Sequence, residues 1–92
     1  MHSVYVTLSL KEAAFPDENT QRTHLERVVA EVSAKPGFLH GYWLAPTDGV
    51  ARTVIFYDTE ENAIAAAPVP DSEHSGVARI TGVELAPVLA SA

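Results

Sequence analysis

From Ser3 to Leu10 the apolar residues Val4, Val6, Leu8 and Leu10 occupy every second position, with Tyr5, Thr7 and Ser9 between them. Further on, Leu25, Val28, Val29 and Val32 recur at the spacing of a helix turn. A strand repeats its side chains every two residues and a helix every 3.6, so this change of period fixes the element type on each side of it. The chain therefore opens as a strand followed by a helix. The helix is expected over roughly 18 to 34, after Asp17, and ends at Lys35-Pro36-Gly37. The residue before proline is pushed from the α region, and glycine tolerates a positive φ. With Leu25 at the origin and 100° per residue, the three valines lie within about 60° of it, so one stripe faces a core.

The same reading carries on. Phe38 to Ala45 is aromatic-rich, Thr47-Asp48-Gly49 supplies turn residues, and Val50 to Tyr57 is again β-branched and aromatic, the pattern of a hairpin. Asp58 or Thr59 can cap a second helix over about 60 to 67, whose first turn holds Glu60 and Glu61, acids that suit the positive end of a helix dipole. Pro68 and Pro70 end that helix, Asp71 to Gly76 reads as a loop, and Val77 to Ala86 as the last strand, stopped by Pro87. Lys11 to Pro16 has no consistent period. The order strand, helix, strand, strand, helix, strand predicts an α+β, ferredoxin-like βαββαβ domain with a four-stranded antiparallel sheet.

Length allows one such domain over residues 1–92. A chain this short buries only roughly 60 to 65% of its unfolded surface, and no cysteine is present to staple it. Apolar residues reach 47% and charged residues 20%, a globular balance. The net charge of −6 argues against nucleic acid, which calls for clustered Lys and Arg. No apolar run approaches the roughly 20 residues of a membrane span, and no basic segment precedes an apolar one at the start. A cytoplasmic protein is expected.

Helices cover one face of such a sheet, which leaves the other polar in a monomer. Strict alternation from Phe38 puts Phe38, His40, Tyr42 and Leu44 on one side and Leu39, Gly41, Trp43 and Ala45 on the other, and Val54 and Phe56 oppose Ile55 and Tyr57. Neither side is clearly polar. The expected cover is a second copy, sheet against sheet about a two-fold axis.

Lys35-Pro36-Gly37-Phe38, Gly41-Tyr42-Trp43 and Tyr57-Asp58-Thr59-Glu60-Glu61, in this order within one βαββαβ unit, resemble the antibiotic biosynthesis monooxygenase family of the dimeric α/β-barrel superfamily. The resemblance spans most of the chain. It implies a homodimeric barrel that binds a small molecule and oxidises or isomerises an aromatic or polyketide-like substrate without metal or flavin. The implied chemistry is proton abstraction from a phenol, giving a carbanion that reacts directly with dioxygen. The haem-degrading branch resembles this chain less, because Phe56-Tyr57 stands where that branch has a tryptophan and the second helix holds no histidine. The second helix is also shorter than is usual there. The rival reading is a dimeric binding or interaction module without catalysis.

His40, Tyr42, Tyr57 and Arg79 are the catalytic candidates, and Gln21, Tyr5 and Trp43 the substrate-binding ones. His40 lies mid-strand on the face of Tyr42, where an imidazole can relay protons near neutral pH; the alternative is a histidine packed in the sheet or a dimer seam. Gln21 lies about 40° from the centre of the apolar stripe and is expected to point inward. The aromatics and Arg79 can line an apolar pocket with a few polar groups, or simply fill core and seam. Arg79 can also pair with Glu84 or another carboxylate. His24 borders the helix stripe as a surface residue, and His2 is expected to be terminal and mobile. Asp71, Glu73 and His74 match no established metal spacing, so no metal or cofactor is expected. No phosphate loop, Gly-x-Ser-x-Gly elbow or cysteine nucleophile is present. The stretch from Pro68 to Gly76 is expected to be mobile, as a lid over a pocket mouth or as a plain connector.

Overall fold

Alternation in the first strand has its counterpart in burial: Val4 and Val6 are buried while Ser3, Tyr5 and Thr7 are only half-covered. In the computed structural model, which describes residues 1–10, 17–74 (His74 by its backbone alone) and 78–92, the elements are β1 (His2–Leu10), α1 (Glu18–Ser33), β2 (Phe38–Trp43), β3 (Val50–Tyr57), α2 (Glu60–Ala66), β4 (Glu73–His74) and β5 (Ala78–Pro87). The strands form one sheet in the order β2-β3-β1-β5-β4, antiparallel throughout. Four long strands and two helices in the order βαββαβ give the expected α+β, ferredoxin-like arrangement. β4 is an addition at its edge. The expectations for Lys11 to Pro16, and for the last strand beginning at Val77, fall outside the described residues.

Local chemistry accounts for the joints. Asp17 caps α1 by accepting from the Thr20 backbone N–H at 2.7 Å, and that bond holds its carboxyl below the ordinary carboxylate value. Of the two candidate caps for α2, Thr59 takes the role, its hydroxyl accepting from the Asn62 N–H at 3.1 Å. Thr47 and Val50 exchange both backbone hydrogen bonds around Asp48-Gly49, each with positive φ, the two-residue turn whose twist matches a hairpin. Gly37, at φ 78°, turns the chain from α1 into β2, and its carbonyl accepts from the Asp58 N–H at 2.9 Å.

The core lies between the sheet and α2: Val4, Val6, Ile55, Tyr57, Ala63 and Ile80 are buried together, with Val32, Phe38 and Trp43 packed against them. Tyr57, 1% exposed, is the largest side chain fully enclosed. Fully burying an aliphatic or aromatic side chain stabilises by about 1.5–3 kcal/mol, so this cluster dominates the fold's stability. The ends of the chain meet at β1, where the Ser3 hydroxyl donates to the Ala86 carbonyl across 83 positions and the Thr81 hydroxyl to the Thr7 carbonyl across 74. Among the described residues no helix is long and apolar enough to cross a membrane.

Four sequence expectations need correction. Strict alternation fails in β2, because the register with β3 shifts between Phe38 and His40; this β-bulge places Phe38 on the core side with Gly41 and Trp43, and leaves His40 and Tyr42 on the opposite side. The α1 stripe is only half-buried: Val32 reaches the core, but no residue of α1 is buried and Leu25 is 42% exposed. Gln21 is exposed rather than inward, because α1 meets the sheet chiefly along β2 and its N-terminal turns stand away from the core. His2 is not a loose terminus. It pairs with Tyr57 and Pro87 and sits half-buried with Nε2 3.6 Å from the Glu60 carboxylate.

The stretch after α2 is also more structured than a plain loop over the part described. The Asp71 N–H donates to the Ile80 carbonyl at 2.8 Å, the Ile80 N–H returns a bond to Ser72 at 2.8 Å, and Glu73 and His74 pair with Arg79 and Ala78. These bonds tie it to the edge of β5.

Candidate functional site

Two rows of side chains cross the face of the sheet that carries no helix. One runs Tyr42, Val54, Tyr5, Glu84, and the next His40, Phe56, Ser3, Ala86. The bulge makes this arrangement: without it His40 and Tyr42 would share a side with Phe38. His40 lies 4.7 Å from Phe56, tilted by 34°, and 5.8 Å from Tyr42, edge to face at 77°. Tyr42 and Phe56 complete the triangle at 6.4 Å and 82°. These are the separations at which rings attract beyond the area they bury, by about 0.5–1.5 kcal/mol per pair. The rings are nevertheless accessible, with Tyr42 56% exposed and His40 exposed. Tyr5 stands in the Tyr42 row two strands away, about 10 Å by strand spacing.

The sheet divides the residues singled out from the sequence. His40, Tyr42 and Tyr5 share the open face. Tyr57 and Trp43 lie on the helix side, where Tyr57 packs edge to face on Phe38 at 6.4 Å, and burial pushes its hydroxyl pKa above the ordinary value. Arg79 pairs in register with Ser9, four positions along β1 from Tyr5, and its guanidinium lies 3.9 Å from the exposed Asp71 carboxylate rather than near Glu84. An exposed pair of this kind is worth roughly 0–1 kcal/mol. Gln21 joins neither group.

Two residues not proposed from the sequence belong to the open-face group. Phe56 is the platform on which His40 lies, and Arg52, opposite Thr7 in the row beside Tyr5, is half-buried and forms no ion pair among the described residues. Both alternate with Val54 along β3, so the period-2 pattern that assigned Val54 to this face was the signal for them. Chemically the face offers an aromatic surface, the His40 imidazole and two guanidinium groups, Arg52 and, at the far end beside Ser9, Arg79, each able to hold an anion. Among the described residues no group of three or more His, Asp or Glu side chains gathers to hold a metal ion. No family model matches the sequence, and no curated protein matches it.

Proposed function

We propose that this chain is a homodimeric small-molecule-binding protein of the cofactor-independent monooxygenase kind, taking an aromatic or polyketide-like ligand on the open face of its sheet. The observation that carries this reading is the His40, Tyr42 and Phe56 ring cluster, exposed on a face without helices and flanked by Tyr5 and Arg52. A second copy laid sheet to sheet would enclose it, turning an open aromatic surface into the apolar, partly polar site that small ligands favour. A planar phenol fits between such rings. His40 would accept the phenolic proton and Arg52 would stabilise the resulting anion. The carbanion carbon would then bond to dioxygen, the peroxide would take the proton back from His40, and loss of water would leave a carbonyl with one oxygen atom in the product.

Calorimetric titration with hydroxynaphthalene and anthrone compounds tests the reading, with oxygen uptake followed in parallel. Micromolar binding that weakens at least tenfold in both His40→Ala and Tyr42→Ala supports it. Failure to bind up to millimolar ligand, or equal binding by both variants, overturns it.

A specific observation favours the rival module without catalysis. Tyr57 is sealed on the far side of the sheet from His40 and Tyr42, and Arg79 is remote along β5, so the four residues first considered catalytic do not converge. Ligand binding without oxygen uptake would select that reading.

A further inference from the structure

Charge is spread unevenly over the sheet. The chain holds 6 basic and 12 acidic residues, yet the four long strands β1, β2, β3 and β5 carry two arginines, Arg52 and Arg79, against a single carboxylate, Glu84. Register places all three on the open face and sets the arginines on either side of β1, Arg52 opposite Thr7 and Arg79 opposite Ser9. Two strand spacings across and two residues along separate their backbones by roughly 12 Å. Each guanidinium ends a long stem, so both can lean over the Thr7 and Ser9 hydroxyls between them.

The space above those hydroxyls is open. Gly82 stands opposite Thr7 on β5, and a Cβ there would meet only the Thr7 side chain, at 3.7 and 3.8 Å. Those are ordinary contact distances, so packing does not call for the glycine; its effect is to leave room on the far side of Thr7 from Arg52. Arg52 is half-buried and forms no ion pair among the described residues. Arg79 faces Asp71 at 3.9 Å, past hydrogen-bond distance. A guanidinium matched to a carboxylate makes two parallel N–H bonds, and neither arginine makes them to Asp71 or Glu84.

We propose that Arg52 and Arg79 hold a carboxylate above Thr7, and that the ligand is therefore a fused-ring hydroxyaryl acid. This assignment rests on the ligand reading above and names the substrate class within it. From the Thr7 row to the Phe56 row is four residues, about 13 Å, longer than a single ring and within reach of two or three fused ones. The rings would cross the row of Tyr42, Val54 and Tyr5, with the hydroxyl toward His40. Once His40 takes the phenolic proton the ligand carries two negative charges, which is why a second guanidinium is called for. Glu73, opposite Arg79, and Glu84, one row from Arg52, flank the pair; they repel a doubly charged phosphate more than a carboxylate.

Calorimetric titration of the whole protein compares a hydroxynaphthoate, its hydroxyl and carboxylate on opposite rings, with the hydroxynaphthalene that lacks the carboxylate and with a naphthyl phosphate. The hydroxynaphthoate is expected to bind about tenfold more tightly than the hydroxynaphthalene, the size of one charge-assisted hydrogen bond, and more tightly than the phosphate. That preference should fall below about threefold in Arg52→Gln and in Arg79→Gln. Arg79 is exposed, so its variant reads out binding on a folded chain even should Arg52→Gln not fold. Equal affinity for the first two compounds, tighter binding of the phosphate, or a preference that survives Arg79→Gln overturns the carboxylate site and spares the ligand reading. An Arg79-dependent preference kept in full by His40→Ala and Tyr42→Ala supports the carboxylate site and removes the ring site. No binding of any compound at millimolar concentration overturns both.

Discussion

Gly37→Ala probes the joint between the two halves of the domain. At φ 78° an alanine enters the left-handed region at a cost of about 1–2 kcal/mol. A Cβ there would also run into Asp58 Oδ1 and Asn62 Nδ2, the two atoms joined by the 2.8 Å side-chain hydrogen bond at the start of α2. Both must move, and losing their bond adds about 0.5–1.5 kcal/mol. The expected destabilisation is about 2–3 kcal/mol, which lowers the urea midpoint by about 2 M for a protein of this size. Gly49→Ala is the control: its φ is 76° but nothing lies within 4 Å of the added carbon, so only the conformational part applies. Urea unfolding at one fixed protein concentration, followed by far-UV circular dichroism, measures both. Equal losses in the two variants would refute the steric argument, and a loss under about 0.5 kcal/mol in Gly37→Ala would refute the conformational one as well. A further check is Asp58→Ala combined with Gly37→Ala, which should cost less than the sum of the single changes.

Asp17→Ala should destabilise the protein measurably in urea unfolding through the lost cap on α1. Because the carboxyl sits below its ordinary value of 3.8, its contribution is present above that pH and fades on acidification; an undiminished gap between wild type and variant at pH 2 would contradict this. Tyr57 has a raised hydroxyl pKa through burial, so its contribution holds below the ordinary value of 10.0 and is lost as pH rises beyond it. Absorbance titration at 295 nm should show one tyrosine ionising later than the rest, and Tyr57→Phe should remove that late step. Ala63→Leu, at a site with no exposure, should overpack α2 against the sheet and cost about 1–3 kcal/mol by urea unfolding; an unchanged midpoint would mean that α2 is not seated there.

Periodicity and punctuation carried most of the architecture. The alternation of Val4 and Val6, the cap at Asp17, the Asp48-Gly49 turn and the stop at Pro68 are local signals, and the elements follow them. What escaped depends on partners distant in sequence. The shift between Phe38 and His40 is a property of the β2 and β3 pairing, so a strand read alone assigns Phe38 to the wrong side. His2 gains order from Tyr57, Glu60 and Pro87, none of which is near it in sequence. Helical phase placed Gln21 on the apolar side of α1, but phase says which residues share a side and not how far the sheet extends beneath them. In the candidate site, His40 with Tyr42 was legible from spacing; Phe56 and Arg52 joined them once the register supplied a neighbouring strand.

The pairing of β1 with both β3 and β5 also bears on how the protein is made. Ser3 must wait for Ala86, 83 positions later, and at synthesis rates of about 5–20 residues per second that is roughly 4 to 17 s. Throughout that interval Val4, Val6 and Leu8 project from an emerging strand that lacks one of its two sheet neighbours. The nascent chain is therefore a natural client for chaperones that hold short apolar segments, and slowing translation late in the message would lengthen that dependence.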